Sequence, residues 1–214
     1  WNALSKPKNL PQINLLSKIS SKPFSYGSFN SFSKISEGVI DVWSQILINT
    51  NSQIYLKNPI HDTSSFVKKN IIEKFLEKNV SKNKILFLDH QKNRHDHLKL
   101  YNEIDLALDT FPYPGVTTSC EAVLMAVPVL TMKGHNLNSR CGESININLK
   151  MEDFIAENKN DYVNKAIYWQ RNNKTLKKLK QNLRDKALSS PVFDTESFAK
   201  DFTNIIREVY LKRF

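Results

Sequence analysis

Ile104-Asp105-Leu106-Ala107-Leu108-Asp109-Thr110-Phe111-Pro112-Tyr113-Pro114-Gly115-Val116-Thr117-Thr118-Ser119-Cys120-Glu121-Ala122 is the stretch on which the fold turns. It opens with a short apolar run, the pattern of a strand covered on both faces. It then breaks at Pro112, Pro114 and Gly115, which build a tight, stiff turn, and resumes as a helical pattern over 117–126. Such a turn delivers Thr117 and Thr118 to a helix start, where backbone N–H groups, two hydroxyls and the helix dipole suit a phosphate. Glu121, one turn further on, is placed to accept hydrogen bonds from a ribose diol. The plainer alternatives are that Thr117 caps its helix and that Glu121 is a surface residue.

Apolar runs of the same kind recur at 24–29, 54–57, 85–88 and 129–132, separated by helical patterns at 36–48, 65–78 and 94–102. In the first of these helices Ser36 stands as N-cap, and Val39, Val42, Trp43, Ile46 and Leu47 share one face. Apolar strands separated by helices predict an α/β fold, a Rossmann-like parallel sheet with helices on both faces, over residues 24–150. Beyond it only helical patterns are read, as a C-terminal extension over 151–214 packing on the domain. There Phe198, Phe202, Ile205, Ile206 and Val209 have the spacing of a helix docking on a core. Residues 1–23, with Pro7, Pro11 and Pro23 among Ser, Lys and Asn, read as a connector arriving from an absent N-terminal lobe. A first residue of Trp rather than Met agrees with a fragment.

The chain has 214 residues, 40% of them hydrophobic and 10% aromatic, which excludes disorder as its dominant state. No apolar run approaches the roughly 20 residues that span a bilayer. Cys120 and Cys141 are too far apart for a C-x-x-C clamp, so a reducing, cytoplasmic setting is expected. The 31 Lys and Arg exceed the 21 Asp and Glu, a net charge of +10. The densest basic group is Arg171, Lys174, Lys177, Lys178, Lys180, Arg184 and Lys186. It alternates with Leu176, Leu179 and Leu183, as the wet face of an amphipathic helix does. Neither nucleic acid nor membrane is expected as a partner.

In an open α/β sheet, ligands bind beyond the carboxyl ends of the strands, and the chemistry-capable residues fall there. Gly27 to Lys34 follow the first strand, Asp89 to His97 the third, Thr110 to Thr118 the fourth, and Lys133 to Arg140 the fifth. Lys34 is a candidate point charge beside a diphosphate, and Arg94 and Arg140 are the other candidate ligand-facing cations. His95 and His97 point about 200° apart on a helix and cannot chelate together. With no D-x-D pair in the chain, no metal site is expected.

Several separated motifs together resemble the C-terminal catalytic lobe of the O-GlcNAc transferase and SPINDLY-like family. They are Gly27-Ser28-Phe29-Asn30 with Lys34-Ile35-Ser36, then Ile104 to Tyr113 running on to Gly115 and Thr117 to Ala122. Ala126 to Thr131, Ser139-Arg140 and Ser189 to Phe193 continue the likeness in order, so that it covers residues 24–214. The resemblance implies the donor-binding lobe of a GT-B glycosyltransferase. It implies transfer of a sugar from a nucleoside-diphosphate sugar, UDP-GlcNAc favoured, to protein Ser or Thr, with inversion and without a metal or other cofactor. By the same likeness Lys34 stabilises the diphosphate leaving group and Thr117 and Thr118 hold the phosphates. Glu121 takes the ribose hydroxyls, Arg94 and His97 line the base and ribose pocket, and Ser31 lies near the donor.

Three positions depart from the family pattern. Pro114 stands where a small or amide residue is usual, Val116 where Gly or His is usual, and Ser31 where Asn or Gln is often found. The acceptor-side lobe and its tetratricopeptide repeats, through which a protein or peptide acceptor binds, are not in this sequence. The chain is therefore expected to bind donor better than it turns donor over. Two further readings are a GDP-fucose donor on the same fold and a degenerate, non-catalytic nucleotide-binding or interaction module.

Overall fold

The computed structural model of the protein describes residues 5–7, 9–14, 22–58 and 64–213. Among the described residues there are six strands, the five expected apolar runs and one more: β1 (Phe24–Ser28), β2 (Ser52–Leu56), β3 (Ile85–Phe87), β4 (Leu106–Leu108), β5 (Val129–Met132) and β6 (Ile155–Ala156). They form one sheet in the order β3-β2-β1-β4-β5-β6, with every neighbouring pair parallel. Register pairs Tyr26 with Ile54 on one side and with Leu106 on the other, and Leu108 with Leu130. All five are buried to 1% exposure or less, so the sheet is covered on both faces.

Among the described residues there are eight α-helices: α1 (Glu37–Ile48), α2 (Ser65–Glu77), α3 (Arg94–Lys99), α4 (Thr117–Leu124), α5 (Cys141–Asn148), α6 (Lys159–Arg171), α7 (Asn173–Leu188) and α8 (Thr195–Arg213). The Ser36 hydroxyl accepts the Val39 N–H and starts α1, whose expected apolar face is fully buried. The helix expected over 94–102 is α-helical for six residues and then tightens into a 3₁₀ turn over Leu100–Glu103. The chain lays down β1, β2 and β3 in one direction and then crosses to β4 on the other side of β1. Order reverses between β1 and β4, and their carboxyl ends diverge around a crevice.

Three expectations need correction. Residues beyond 150 are not all helical, because Ile155–Ala156 adds β6 to the sheet, pairing Thr131 with Ile155. A two-residue strand carries no periodicity that a sequence could display. The last helix does form, but it does not dock on the core. Phe202, Ile205, Ile206 and Val209 are 49–58% exposed, and α8 packs near its start against the turn Pro191–Phe193. Apolar spacing defines a face without saying what covers it. Finally, the basic face of α7 is not uniformly wet. Lys180 falls on the stripe of Leu176, Leu183 and Ala187, and its ammonium donates inward to the carbonyls of Ile104 and Asp105. Arg184 donates to the carbonyls of Leu124 and Pro11.

That last contact anchors the described part of the connector, where Asn14 N–H also donates to Asn102 Oδ1 at 3.0 Å. The rest of the connector, 1–4, 8 and 15–21, lies outside the described residues. Among the described residues no helix is long and apolar enough to cross a membrane.

Gly27 shows how tightly the crevice is floored. A Cβ there would stand 2.5 Å from Cγ2 and 2.6 Å from Cδ1 of Ile104, a buried, β-branched side chain with little room to yield. Gly27→Ala is expected to destabilise the fold by about 1–3 kcal/mol in denaturant unfolding. A loss below a few tenths would show that the β1–Ile104 contact is loose.

Candidate functional site

The crevice between the ends of β1 and β4 opens into a cleft of about 620 Å³. Ser31, Lys34, Arg94, His97, Thr117, Thr118 and Glu121 all line it. Residues up to 90 positions apart thus meet at one sheet edge because each follows the carboxyl end of a parallel strand.

The phosphate-ready end is built on Asp109, which follows β4 and is 2% exposed. Its Oδ1 accepts the Gly115 N–H at 2.6 Å, the Thr110 N–H at 3.0 Å and Asn30 Nδ2 at 3.0 Å. Its Oδ2 accepts the Thr131 hydroxyl at 3.1 Å. The amide of Asn30 is thereby oriented, and its Oδ1 accepts the Thr118 hydroxyl at 2.7 Å. One carboxylate fixes the loop after β1, the loop after β4 and the start of α4. Gly115 is required there, since a Cβ would run into Thr118, Ser119 and Asn30. Burial pushes the Asp109 carboxyl up to about 6, opposed by those four hydrogen bonds.

Thr117 is not the cap of α4. Val116 holds that position, and no side chain caps the first turn. That turn lines the cleft through Val116, Thr117 and Thr118, and the unpaired N–H groups of a helix start suit an anion such as phosphate. Lys34 closes this end, its Nζ donating to the Pro114 carbonyl at 3.0 Å and lying 4.1 Å from the centre of the Tyr113 ring. Pro114, a departure from the family pattern, thus supplies the carbonyl that aims Lys34. Burial lowers the pKa of this ammonium, and the Asp109 carboxylate opposes the shift.

The other end centres on Glu121, which is 8% exposed. Its Oε2 lies 3.0 Å from His97 Nε2, and its Oε1 lies 3.7 Å from Arg94 Nε. His97 is held by the rings of Phe29 and Tyr101, with centroids 6.0 Å and 5.8 Å away, and Tyr101 OH donates to the Thr118 carbonyl. Glu121 is therefore no surface residue. Ser31 shares a hydrogen bond with Ser33 at the rim.

Arg140 does not join the site. It pairs with Glu143 through Nε at 2.7 Å and Nη2 at 3.0 Å, outside the cleft. Three residues that do join it carried no role in the sequence reading: Asn30, Asp109 and Lys57. Lys57 is the one with a legible signal, a charge set directly at the end of the apolar run 54–56.

Charge shows what the cleft can take. Lys34, Lys57, Lys92 and Arg94 line it, against a single described carboxylate, Glu121. A second cavity of about 390 Å³ lies between α4, α5 and α8, and its charged lining, Asp194 and Asp201, is acidic. An anion belongs in the first.

A parallel sheet in this order, with its cleft at the switch point, is the doubly wound nucleotide-binding arrangement, and its match to solved O-GlcNAc transferase and sucrose-phosphate synthase chains makes it a GT-B glycosyltransferase C-terminal lobe. The chain belongs to glycosyl transferase family 41, whose profile matches residues 17–202. It is similar to the Hordeum vulgare protein named "Probable UDP-N-acetylglucosamine--peptide N-acetylglucosaminyltransferase SPINDLY", at 32% identity over 197 residues. That match covers 90% of this chain and 20% of the relative. The Arabidopsis thaliana SPINDLY protein is likewise 32% identical, over 87% of this chain and 20% of its own length. Among solved structures, a mutant O-GlcNAc transferase of Thermobaculum terrenum superposes with a TM-score of 0.84 at 27% identity, covering 95% of this chain and 38% of that one. Sucrose-phosphate synthase of Thermosynechococcus elongatus, at 14% identity and a TM-score of 0.64, shares the fold alone. The chain spans about a fifth of the length of the curated relatives it matches.

Proposed function

We propose that the cleft binds a nucleoside-diphosphate sugar, with UDP-N-acetylglucosamine favoured. The chain is then the donor-binding half of an inverting, metal-independent transferase that glycosylates protein Ser or Thr in the cytoplasm. The observation that carries this is the convergence of four cations and an uncapped helix start on one switch-point cleft, with Glu121 set beside them. The names of the relatives point to the same donor class.

In the reaction, the acceptor hydroxyl oxygen attacks the anomeric carbon from the face opposite the diphosphate. The bond from that carbon to the β-phosphate oxygen breaks, and the nucleoside diphosphate departs with the electron pair. Lys34 and the first-turn N–H groups of α4 receive the charge that grows on the departing oxygen. That supply of fixed positive charge is what lets the step run without a divalent ion. The Thr118 proton is committed to Asn30, so Thr118 fixes the helix start, while the exposed Thr117 hydroxyl is the one placed to donate to phosphate. The base that takes the acceptor proton, and the acceptor site itself, belong to the remainder of the protein.

Calorimetric titration of the whole protein with UDP and GDP tests the reading. UDP is expected to bind, and Thr118→Ala to weaken it about five- to tenfold by releasing Asn30 and the helix start. Tighter binding of GDP would change the donor. No binding of either at millimolar concentration would overturn the reading, and loss of transfer on adding a chelator would overturn its metal independence.

A further inference from the structure

The cavity of about 390 Å³ between α4, α5 and α8 is distinct from the cleft, yet Val116 lines both and is the wall they share. Its lining has two characters. Cys120, Ile145 and Val192 are buried and give it an apolar floor. Asp194, just before α8, and Asp201, two helical turns later, are exposed at its rim. They are the only charges among the described lining residues. The Oδ1 of Asp194 accepts the Ser197 N–H at 3.0 Å. Hydrogen bonds from Ser197, and more weakly the charge of Lys6, hold its carboxyl below the usual carboxylate range, so it is ionised at neutral pH. Asp201 has no ion-pair partner among the described residues.

An apolar floor under an acidic rim selects by chemistry. A carboxylate side chain is repelled, and a plain apolar one leaves the rim charges unanswered. A lysine or arginine meets both demands, its methylene stem covering Ile145 and Val192 while its charged end returns to the rim. We propose that this cavity is an exosite for the protein acceptor, holding a Lys or Arg side chain near the Ser or Thr that is glycosylated. This rests on the donor-cleft reading above and adds to it the class of acceptor sequence. The acceptor hydroxyl is still presented by the remainder of the protein, and the cavity acts on a neighbouring position. An extended chain advances about 3.3 Å per residue, so a cavity one wall away from the donor cleft is reached about two to five residues from that hydroxyl. Exposed ion pairs are weak and screened by salt, so the preference is graded rather than absolute.

In the experiment the whole protein, supplied with whichever of UDP-N-acetylglucosamine and GDP-fucose it binds, glycosylates a peptide library with a central Thr and randomised flanks, and the products are sequenced. Lys and Arg are expected to be enriched about three- to tenfold over Glu and Leu at one fixed offset from the Thr, and less so at high salt. The double variant Asp194→Asn, Asp201→Asn is expected to lose that enrichment, while Asn at 194 still caps α8. Ser144→Phe, which fills the cavity from α5 without changing charge, is expected to lose it too. Enrichment is a ratio within one preparation, so it does not move when a fraction of the protein is unfolded. No basic preference in wild type, or one that persists in either variant, overturns the exosite and leaves donor binding standing. So does a library left unglycosylated by protein that binds its donor. Failure to bind either nucleotide sugar overturns the donor reading as well.

Discussion

Lys34→Ala is expected to slow sugar transfer by the whole protein about 10²- to 10³-fold while weakening UDP binding by a much smaller factor. The reason is the timing of charge. A bound diphosphate is already anionic, but its β-phosphate gains further charge only as the glycosidic bond breaks. The Lys34 ammonium is fixed by the Pro114 carbonyl and the Tyr113 ring before that moment, so it needs no reorganisation to meet the charge. Its loss should fall chiefly on kcat. Lys34→Arg should not restore the rate, because a planar guanidinium cannot take the place of a compact ammonium between that carbonyl and that ring. Initial-rate kinetics with varied donor check this. A kcat within about threefold of wild type in Lys34→Ala would remove Lys34 from the chemistry.

Asp109→Ala is expected to cost about 3–5 kcal/mol of folding stability, because it strands buried donors from Asn30, Thr110, Gly115 and Thr131. For a chain of this size that lowers the melting temperature by about 10 °C. Asp109→Asn behaves differently. Its oxygen keeps the three donors that Oδ1 accepts, and its amide donates to the Thr131 hydroxyl, so stability at neutral pH should stay within about 1 kcal/mol of wild type. The pH dependence has a definite sign. Asp109 titrates at about 6 when folded, against 3.8 ordinarily, so between those values the folded chain holds a proton that the unfolded chain does not. Stability contributed by this group therefore rises as pH falls and is lost as pH climbs through 6. Wild type should gain about 1 kcal/mol relative to Asp109→Asn between pH 7 and pH 5. Unfolding curves at the two pH values decide it, and a wild type that loses ground to Asp109→Asn on acidification would contradict the assignment.

Fold and site differ in how far the sequence exposes them. The run from Ile104 through the Pro112–Gly115 turn announces a strand feeding a helix, and its repetition along the chain announces a parallel sheet. Site residues at strand ends were legible for the same reason, since a parallel sheet gathers every carboxyl end on one edge. Asp109 was not, because it looks like the ordinary end of a strand until the loops around it close. Lys180 looked solvated because its type outvoted its position in the helical period, although its stem packs and its charge finds two carbonyls. The apolar face of α8 was legible as a face but not as an exposed one.

Local chemistry therefore indicated, from the sequence by itself, the α/β class and the strand-end loops with Lys34, Thr117, Thr118 and Glu121, while the family resemblance singled out Ser31, Arg94 and His97. Hydrophobic period, Pro and Gly breaks and capping residues act over a few positions and need no knowledge of the rest of the chain. Tertiary structure alone decided what those residues do to one another. It buried Asp109 as the hub that ties the loops after β1 and β4 to each other and to β5, committed the Thr118 proton to Asn30, and aimed Lys34 through Pro114. These are consequences of desolvation and of contacts between distant segments, and neither exists until the sheet has assembled.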